Sequence, residues 1–418
     1  MHYLKRRIPR PSKQAVSVED QVKEILARVR EEGDSAVRKF TQKFDGVELE
    51  HLRTGAAALK NAYKLVSRET IDSLTFAKDQ ITYFAEQQLA CLKTLECSNL
   101  PGMTLGHKLL PVSSVGAYVP AGRYPLPSTA LMSVIPAKVA GVKKVAVCSP
   151  PSKQYGTIHP AVLVAMDMAG ADEIYCMGGA QAIGAFTYGT DSVPGVDIIV
   201  GPGNMYVTEA KRQVIGRVGI DLLAGPSEVL IIADDTADAK LAAIDLLAKC
   251  EHDPMSIAIL VTTSKKLGEQ VLKEIETELT EIGTARTAAA TWNENGEISV
   301  VDNIDDAIGL ANEIASEHVQ LMTSSNEKIM AEIINFGSLF VGQYAPVAFG
   351  DYVSGPNHTL PTLTGARYAN GLWVGTFIKV ASYQVVTREG ASILAGPCSY
   401  LAGVEGLFAH QRSANLRK

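Results

Sequence analysis

The chain has 418 residues, 46% of them hydrophobic and 20% charged, with a formal net charge of -6 at neutral pH. That length exceeds one ordinary core and predicts about two or three domains, and the composition is that of a soluble globular protein. The acidic balance argues against a general nucleic-acid surface, which needs a basic footprint, and no run approaches the roughly 20 apolar residues of a membrane-spanning helix.

The N-terminal run Lys5, Arg6, Arg7, Arg10 and Lys13 lacks an apolar core and reads as a solvated basic arm, not a secretory signal. From Val18 to about Ser98 the pattern is helical, with Val22, Ile25, Leu26 and Val29 at helical spacing and few breakers from Ile71 to Cys91. After Pro101 come short β-branched runs punctuated by glycine and proline. The spacing predicts strands at 142–148, 172–176 and 196–200, and helices at 160–169, 180–186 and 207–214. The pattern resets near Gly225-Pro226, where a second sheet begins. Strands at 228–233 and 256–262 follow, each leading into an amphipathic helix, at 237–250 and 267–279. This alternation predicts an α/β fold of parallel sheets covered by helices. After about Tyr368 the sequence turns helical again and ends in a basic tail, read as a small terminal domain or a swapped arm.

Six cysteines (Cys91, Cys97, Cys148, Cys176, Cys250, Cys398) are scattered without a C-x-x-C pair and read as reduced thiols of a cytoplasmic protein. Cys250, beside Glu251-His252, has the position of a nucleophile, although a packed thiol explains it more simply. A strict G-x-G-x-x-G is absent. Gly178-Gly179 and Gly201-Pro-Gly203 nonetheless lie at strand–helix junctions, where backbone amides approach a phosphate. Each alone is a tight turn; two on adjacent strands suggest a ligand crevice.

Four of the eight histidines stand in short acid-bearing turns of the second half. These are Glu251-His252-Asp253-Pro254, Ser316-Glu317-His318, Gly350-Asp351-Tyr352 with Gly355-Pro356-Asn357-His358, and Glu405 through Ala409-His410. Neutral imidazole and carboxylate are the ligands of catalytic divalent metals and the usual general acids and bases. Any one cluster alone is more simply a surface loop; the four together predict one assembled active site.

Gly178-Gly-Ala-Gln-Ala-Ile183, Gly201-Pro-Gly-Asn204, Glu209-Ala-Lys-Arg212, Ala224-Gly-Pro-Ser-Glu228, Ser316-Glu-His318, Gly350-Asp-Tyr352, Gly355-Pro-Asn-His-Thr-Leu-Pro361 and Glu405-Gly-Leu-Phe-Ala-His410 resemble, in order, the histidinol dehydrogenase family. The resemblance runs from about Val112 to the C-terminus. It implies NAD-dependent, zinc-requiring oxidation of a primary alcohol to an acid through an aldehyde. It also implies two related, incomplete dinucleotide-type parallel-sheet domains with small helical terminal segments. On that pattern residues 1–20 form an arm and 21–117 with 229–370 a discontinuous first domain. Residues 118–228 form the second domain, and 371–418 a segment that completes a homodimer partner's site.

By the same resemblance Tyr118, Gln181 and Asn204 contact NAD, and Ser227, His358 and Glu405 hold the alcohol substrate. Glu317 and His318 form the acid–base pair, and His252, Asp351 and His410 bind Zn2+. Zinc on the hydroxyl would stabilise the alkoxide from which hydride leaves. An imidazole near its free pKa suits His318 as the base, and Glu317 would activate water for the aldehyde. Retention of these groups argues against a non-catalytic metabolite-binding relative.

Where the family pattern has a glutamine, the fourth zinc ligand, this chain has Lys249. A charged lysine repels a cation across a few ångströms. The side chain must swing away, bind as a neutral amine, or substitute electrostatically for part of the metal's role. The segments Pro120-Ala-Gly-Arg-Tyr124 and Gly365-Ala-Arg-Tyr368 resemble the sulfopropanediol-oxidising branch, in which Arg123 and Arg367 are candidates to hold an anionic group.

Overall fold

The computed structural model describes residues 1–8, 15–121 and 124–418, with the side chains of 15–17 left aside. Arg10, Lys13 and Arg123 lie outside the described residues. In chain order the elements are β1 (His2–Lys5), α1 (Ala15–Glu32), α2 (Asp34–Asp45), α3 (Ala56–Leu65), α4 (Arg68–Ala90), β2 (Leu95–Cys97), β3 (Met103–Pro111) and β4 (Ser114–Tyr118). There follow α5 (Pro127–Val139), β5 (Lys144–Ser149), α6 (Pro160–Met168), β6 (Glu173–Cys176), α7 (Gly179–Tyr188), β7 (Ile198–Val200), α8 (Met205–Val214) and β8 (Gly219–Ile220). The second half holds β9 (Glu228–Ala233), α9 (Ala239–Cys250), β10 (Ile257–Thr262), α10 (Lys265–Glu278), α11 (Ala285–Asn295), β11 (Gly296–Val300), α12 (Ile304–Ile314) and β12 (His318–Met322). It closes with α13 (Asn326–Glu332), β13 (Ser338–Val341), α14 (Val347–Tyr352), β14 (Ile378–Val386), α15 (Arg388–Val404) and α16 (Phe408–Asn415).

Strands β4–β8 form an all-parallel sheet in the order β6-β5-β4-β7-β8. The larger sheet runs β1-β11-β10-β9-β12-β13 and is parallel except for β1. Strands such as Glu228-Val-Leu-Ile-Ile-Ala233 are buried throughout, which is why they read as continuous apolar runs instead of alternating ones. Helices cover both faces of both sheets. The α/β expectation and most of the element boundaries in both sheets agree with this architecture.

Three expectations change. The N-terminal arm is not solvated along its length: His2–Lys5 pairs antiparallel with β11, Lys5 Nζ donates to the carbonyls of Asn293 (3.1 Å) and Gly296 (2.8 Å), and Arg7 meets Glu297 at 3.3 Å. The helices α1–α4 do not join the 229–370 sheet. The stripe Val18, Val22, Ile25, Leu26 and Val29 packs on one face of the smaller sheet, while Ala62, Leu74, Ala77 and Ile81 pack on the other. Residues after Tyr368 are not simply helical, since Ile378–Val386 pairs with β3 in a three-stranded antiparallel sheet of order β14-β3-β2.

The chain order reverses between β4 and β7 in the smaller sheet and between β9 and β12 in the larger one. The carboxyl ends of β4 and β7 lead to Tyr118 and the Gly201 turn, the position at which open α/β sheets bind ligands. The amino ends of β9 and β12 carry Glu228 and His318. The two regions are bridged where Thr129, at the start of α5, meets His358 at 3.2 Å and Thr208 donates to the Ala224 carbonyl at 2.8 Å.

Candidate active site

Helix α12 closes on Ala315, whose φ of 51° is a left-handed conformation that costs a residue with a β-carbon about 1–2 kcal/mol. That cap swings the chain through Ser316 and Glu317 into β12, burying Glu317 and His318 beside β9. There Glu317 Oε2 accepts from Ser227 Oγ at 2.6 Å and from the Glu228 N–H at 2.8 Å. His318 Nδ1 lies 3.0 Å from the Glu228 carbonyl. A carbonyl can only accept, so Nδ1 carries a proton. Burial pushes Glu317 up, but His318, Lys249 and Ser227 outweigh it and hold the carboxyl below its ordinary value.

Asp351 sits at the end of α14, and the residue before it must be small: a β-carbon on Gly350 would lie 2.5 Å from the Phe340 ring. Asp351 Oδ1 is 3.4 Å from His318 Nε2, and Oδ2 is 3.5 Å from Lys249 Nζ and 3.9 Å from His252 Nε2. His358 donates from Nδ1 to the Asp351 carbonyl at 2.7 Å, and burial lowers its pKa and keeps it neutral, so its Nε2 accepts from Thr129 Oγ1.

Burial and Lys249 pull His318 down, yet Glu317 and Asp351, one on each nitrogen, outweigh them and raise it to about 9. His318 therefore rests as an imidazolium here, not as the near-free imidazole expected, because two carboxylates flank it. Burial first, then Lys249, depresses His252 and keeps it neutral. The result is a chain of alternating sign, Lys249, Asp351, His318, Glu317, whose formal charges sum to zero.

Three of the four histidine clusters thus meet at one place. The fourth does not meet them within this chain: Glu405 and His410 are exposed at the end of α15 and in α16. Among the described residues no group of three or more His, Cys, Asp or Glu is placed to hold a metal ion. His252 and Asp351 are suitable donors, but Lys249, with a side chain 3% exposed, holds its ammonium against the same Asp351 oxygen. This donor set does not fit a divalent cation.

The nicotinamide candidates gather at the carboxyl end of the smaller sheet. Tyr118 is buried and its hydroxyl accepts from the Gly179 N–H at 3.2 Å. Helix α7 has no side-chain cap, and the buried Gln181 Oε1 has no hydrogen-bond partner. Asn204 is exposed and spends its side-chain oxygen capping α8. Gly201 is obligatory, since its φ is 110° and a β-carbon would lie 2.1 Å from the Tyr118 carbonyl oxygen. An uncapped helix start beside an orphan buried oxygen fits a dinucleotide.

Arg367 is exposed and donates to the Glu313 carbonyl. Cys250 is fully buried with its thiol pushed up to about 12, so it is a packed thiol and not a nucleophile. Sequence reasoning missed Glu228, whose peptide contacts both Glu317 and His318, and Thr129, which partners His358. It also missed the buried Lys211–Asp221 pair, which grips the Gly201 turn: Lys211 Nζ donates to the Gly201 carbonyl at 2.5 Å and to Asp221 at 2.6 Å, and Asp221 accepts from the Gly201 N–H at 2.7 Å.

The family model described as histidinol dehydrogenase matches residues 8–418. A histidinol dehydrogenase homolog of Shouchella clausii is 46% identical over 400 residues, covering 96% of this chain and 94% of the relative. The histidinol dehydrogenase of Methanocaldococcus jannaschii is 43% identical over 396 residues, covering 95% and 91%. The crystal structure of histidinol dehydrogenase from Elizabethkingia anophelis superposes with a TM-score of 0.93 at 36% identity, covering 98% of this chain and 94% of that one. The chain belongs to the histidinol dehydrogenase family and is an oxidoreductase by that membership.

Proposed function

We propose that this chain oxidises a primary alcohol to a carboxylic acid through an aldehyde, passing one hydride to each of two NAD molecules in turn, as in the conversion of L-histidinol to L-histidine. The observation that carries the reading is the buried Glu317–His318 pair, locked by Ser227 and Glu228 beside Asp351 in a chain whose residues 8–418 match the family.

NAD, once bound, supplies the hydride acceptor, and Tyr118, Gln181 and Asn204 are the residues that would hold it. His318 accepts the hydroxyl proton at Nε2 after losing its own, with Glu228 fixing the ring. Glu317 takes a proton from the water that adds to the aldehyde. Ser227 and His358 orient the substrate. Glu405 reaches a partner's site in a homodimer, a reading supported by the exposed apolar side chains of Tyr400, Val404 and Phe408 around it. Lys249 stands against the Asp351 oxygen that a zinc ion would need.

No helix among the described residues is long and apolar enough to cross a membrane. The six free cysteines support a reducing, cytoplasmic setting. A second reading keeps the chemistry and changes the substrate to a sulfonated or polyol alcohol such as 2,3-dihydroxypropane-1-sulfonate. It is favoured by Lys249, whose ammonium disfavours the cationic amine of histidinol. Reduced-nicotinamide formation with L-histidinol and with the sulfonated diol tests both, and two NADH per alcohol is the expected stoichiometry. Tight ligand binding without NADH from any alcohol would overturn the enzyme reading.

A further inference from the structure

We propose that the ammonium of Lys249 is the resident cation of this site, and that the chain oxidises its alcohol without a divalent metal. The proposal rests on the dehydrogenase reading above and concerns how that reaction meets the charge developing on the substrate oxygen.

Lys249 stands in the last turn of α9, a helix of 12 residues whose start is capped by Asp238 and whose apolar face, Ala242, Ala243, Leu246 and Leu247, is buried in the core of the larger sheet. The backbone under Lys249 is therefore fixed. Its side chain is 3% exposed and ends 3.5 Å from Asp351 Oδ2. A lysine with its charge in solvent would show the opposite: a buried stem and an exposed head. Here the head is inside and paired.

Asp351 already faces three nitrogen-bearing side chains. One carboxylate oxygen faces Lys249 and His252, the other faces His318. A divalent ion bound by His252 and Asp351 would sit within a few ångströms of the ammonium. At that separation two like charges repel by several multiples of thermal energy even with generous screening, and the ion carries twice the charge. Expelling the ammonium would instead strand a charged head among buried groups.

An ammonium can do the electrostatic part of the work. It has three donors, so it can hold Asp351 and still donate to a substrate oxygen. In the first oxidation His318 Nε2, having released its own proton to solvent, takes the hydroxyl proton, the carbon–hydrogen pair of electrons leaves as hydride to the nicotinamide ring of NAD, and the carbon–oxygen double bond forms. Lys249 donates a hydrogen bond to the oxygen as its negative charge develops and transfers no proton. In the second, water adds to the aldehyde with its proton going to Glu317, the hydrate gives its hydride to a second NAD, and the acid results. Lys249 again faces the oxygen.

The test is zinc titration by calorimetry on the chelator-dialysed full-length protein, with Lys249→Gln beside it, and NADH formation with and without chelator. We expect wild-type protein to bind zinc at least about 100-fold more weakly than Lys249→Gln, as repulsion by a neighbouring unit charge predicts. Turnover of the wild type should not change when chelator is present. One tight zinc per wild-type chain, lost in His252→Ala, overturns the proposal, as does turnover that chelator abolishes and zinc restores. Should Lys249→Gln fail to fold, Lys249→Met serves the comparison, and the wild-type titration decides without either. Absence of NADH from every alcohol would count against the dehydrogenase reading alone, since the zinc comparison still decides the role of Lys249.

Discussion

The Glu228 carbonyl accepts from Nδ1 of His318 at 3.0 Å, and this one contact leaves Nε2, turned toward Asp351, as the nitrogen available to exchange a proton. The peptide N–H of the same Glu228 holds Glu317. Glu317 and His318 are thus positioned by one strand end, and the roles proposed for them predict separable effects on the two halves of the reaction. His318→Ala should lower alcohol oxidation by roughly 10²–10⁴-fold, the range of a lost general base. Glu317→Gln should slow aldehyde oxidation more than alcohol oxidation. Single-turnover NADH formation from alcohol and from added aldehyde distinguishes them, and equal losses in both steps for both variants would refute the division of roles.

His318 is raised to about 9 by Glu317 and Asp351 against the pull of burial and Lys249, so the proposed base is protonated at neutral pH. The rate of the first oxidation should rise with pH through that region and level off above it. In Asp351→Asn, which removes one of the two raising carboxylates, the limb should move to lower pH. A profile of kcat/KM that is flat from neutral pH upward would show that another group takes the proton.

Glu228 carries a different signal. Burial, then the neighbouring Glu317, raises its carboxyl from 4.5 to about 7, and its Oε2 has no hydrogen-bond partner. Because the folded state holds this proton more tightly than the unfolded state, stability falls as pH rises from about 4.5 to about 7 and is then constant. Glu228→Gln removes the penalty and keeps the backbone contacts. It should therefore be more stable than wild type above neutral pH, on the order of 1–3 kcal/mol, with the gain shrinking toward pH 4.5. Thermal unfolding across that range measures it, and an advantage that grew on acidification would have the wrong sign.

Most of both sheets is legible in the sequence because central strands such as Glu228–Ala233 are buried on both faces and outer helices such as Lys265–Glu278 present a single apolar stripe. What escapes is edge structure. His2–Lys5 is short and basic yet completes the larger sheet, since an edge strand needs backbone pairing more than apolar side chains. Ile378–Val386 lies in a thin sheet with much of its surface exposed, so burial imposes no pattern strong enough to separate it from a helix. His252, Glu317, His318, Asp351 and His358 are legible as chemistry-bearing turns. That Glu228 holds two of them through its peptide is not, because backbone contacts leave no trace in residue type.

Lys211 and Asp221 form an ion pair with side chains 3% and 1% exposed, and together they grip both sides of the Gly201 peptide. Lys211→Met leaves the Asp221 carboxylate buried without its cation, which should cost about 3–5 kcal/mol of stability. Loosening the turn should also raise the KM for NAD more than it lowers kcat. Unfolding midpoints and steady-state kinetics report the two effects. Loss of stability with an unchanged KM for NAD would confine this pair to the fold.

The C-terminal helices α15 and α16 place Glu405 on the surface of their own chain, while the acid–base pair is buried at the amino end of β12. If Glu405 serves a partner's site, two inactive variants should complement each other. In a dimer of one Glu405→Ala chain and one His318→Ala chain, the first chain supplies an intact His318 and the second an intact Glu405, so one site is whole and the other has neither. Random exchange makes half the dimers mixed, and the mixture should recover about a quarter of wild-type activity from two dead parents. Activity after subunit exchange at equal concentrations, followed over time, is the measurement. No recovery despite demonstrated exchange would mean that Glu405 acts within its own chain or not at all, and the exposed Tyr400, Val404 and Phe408 would then need another partner surface.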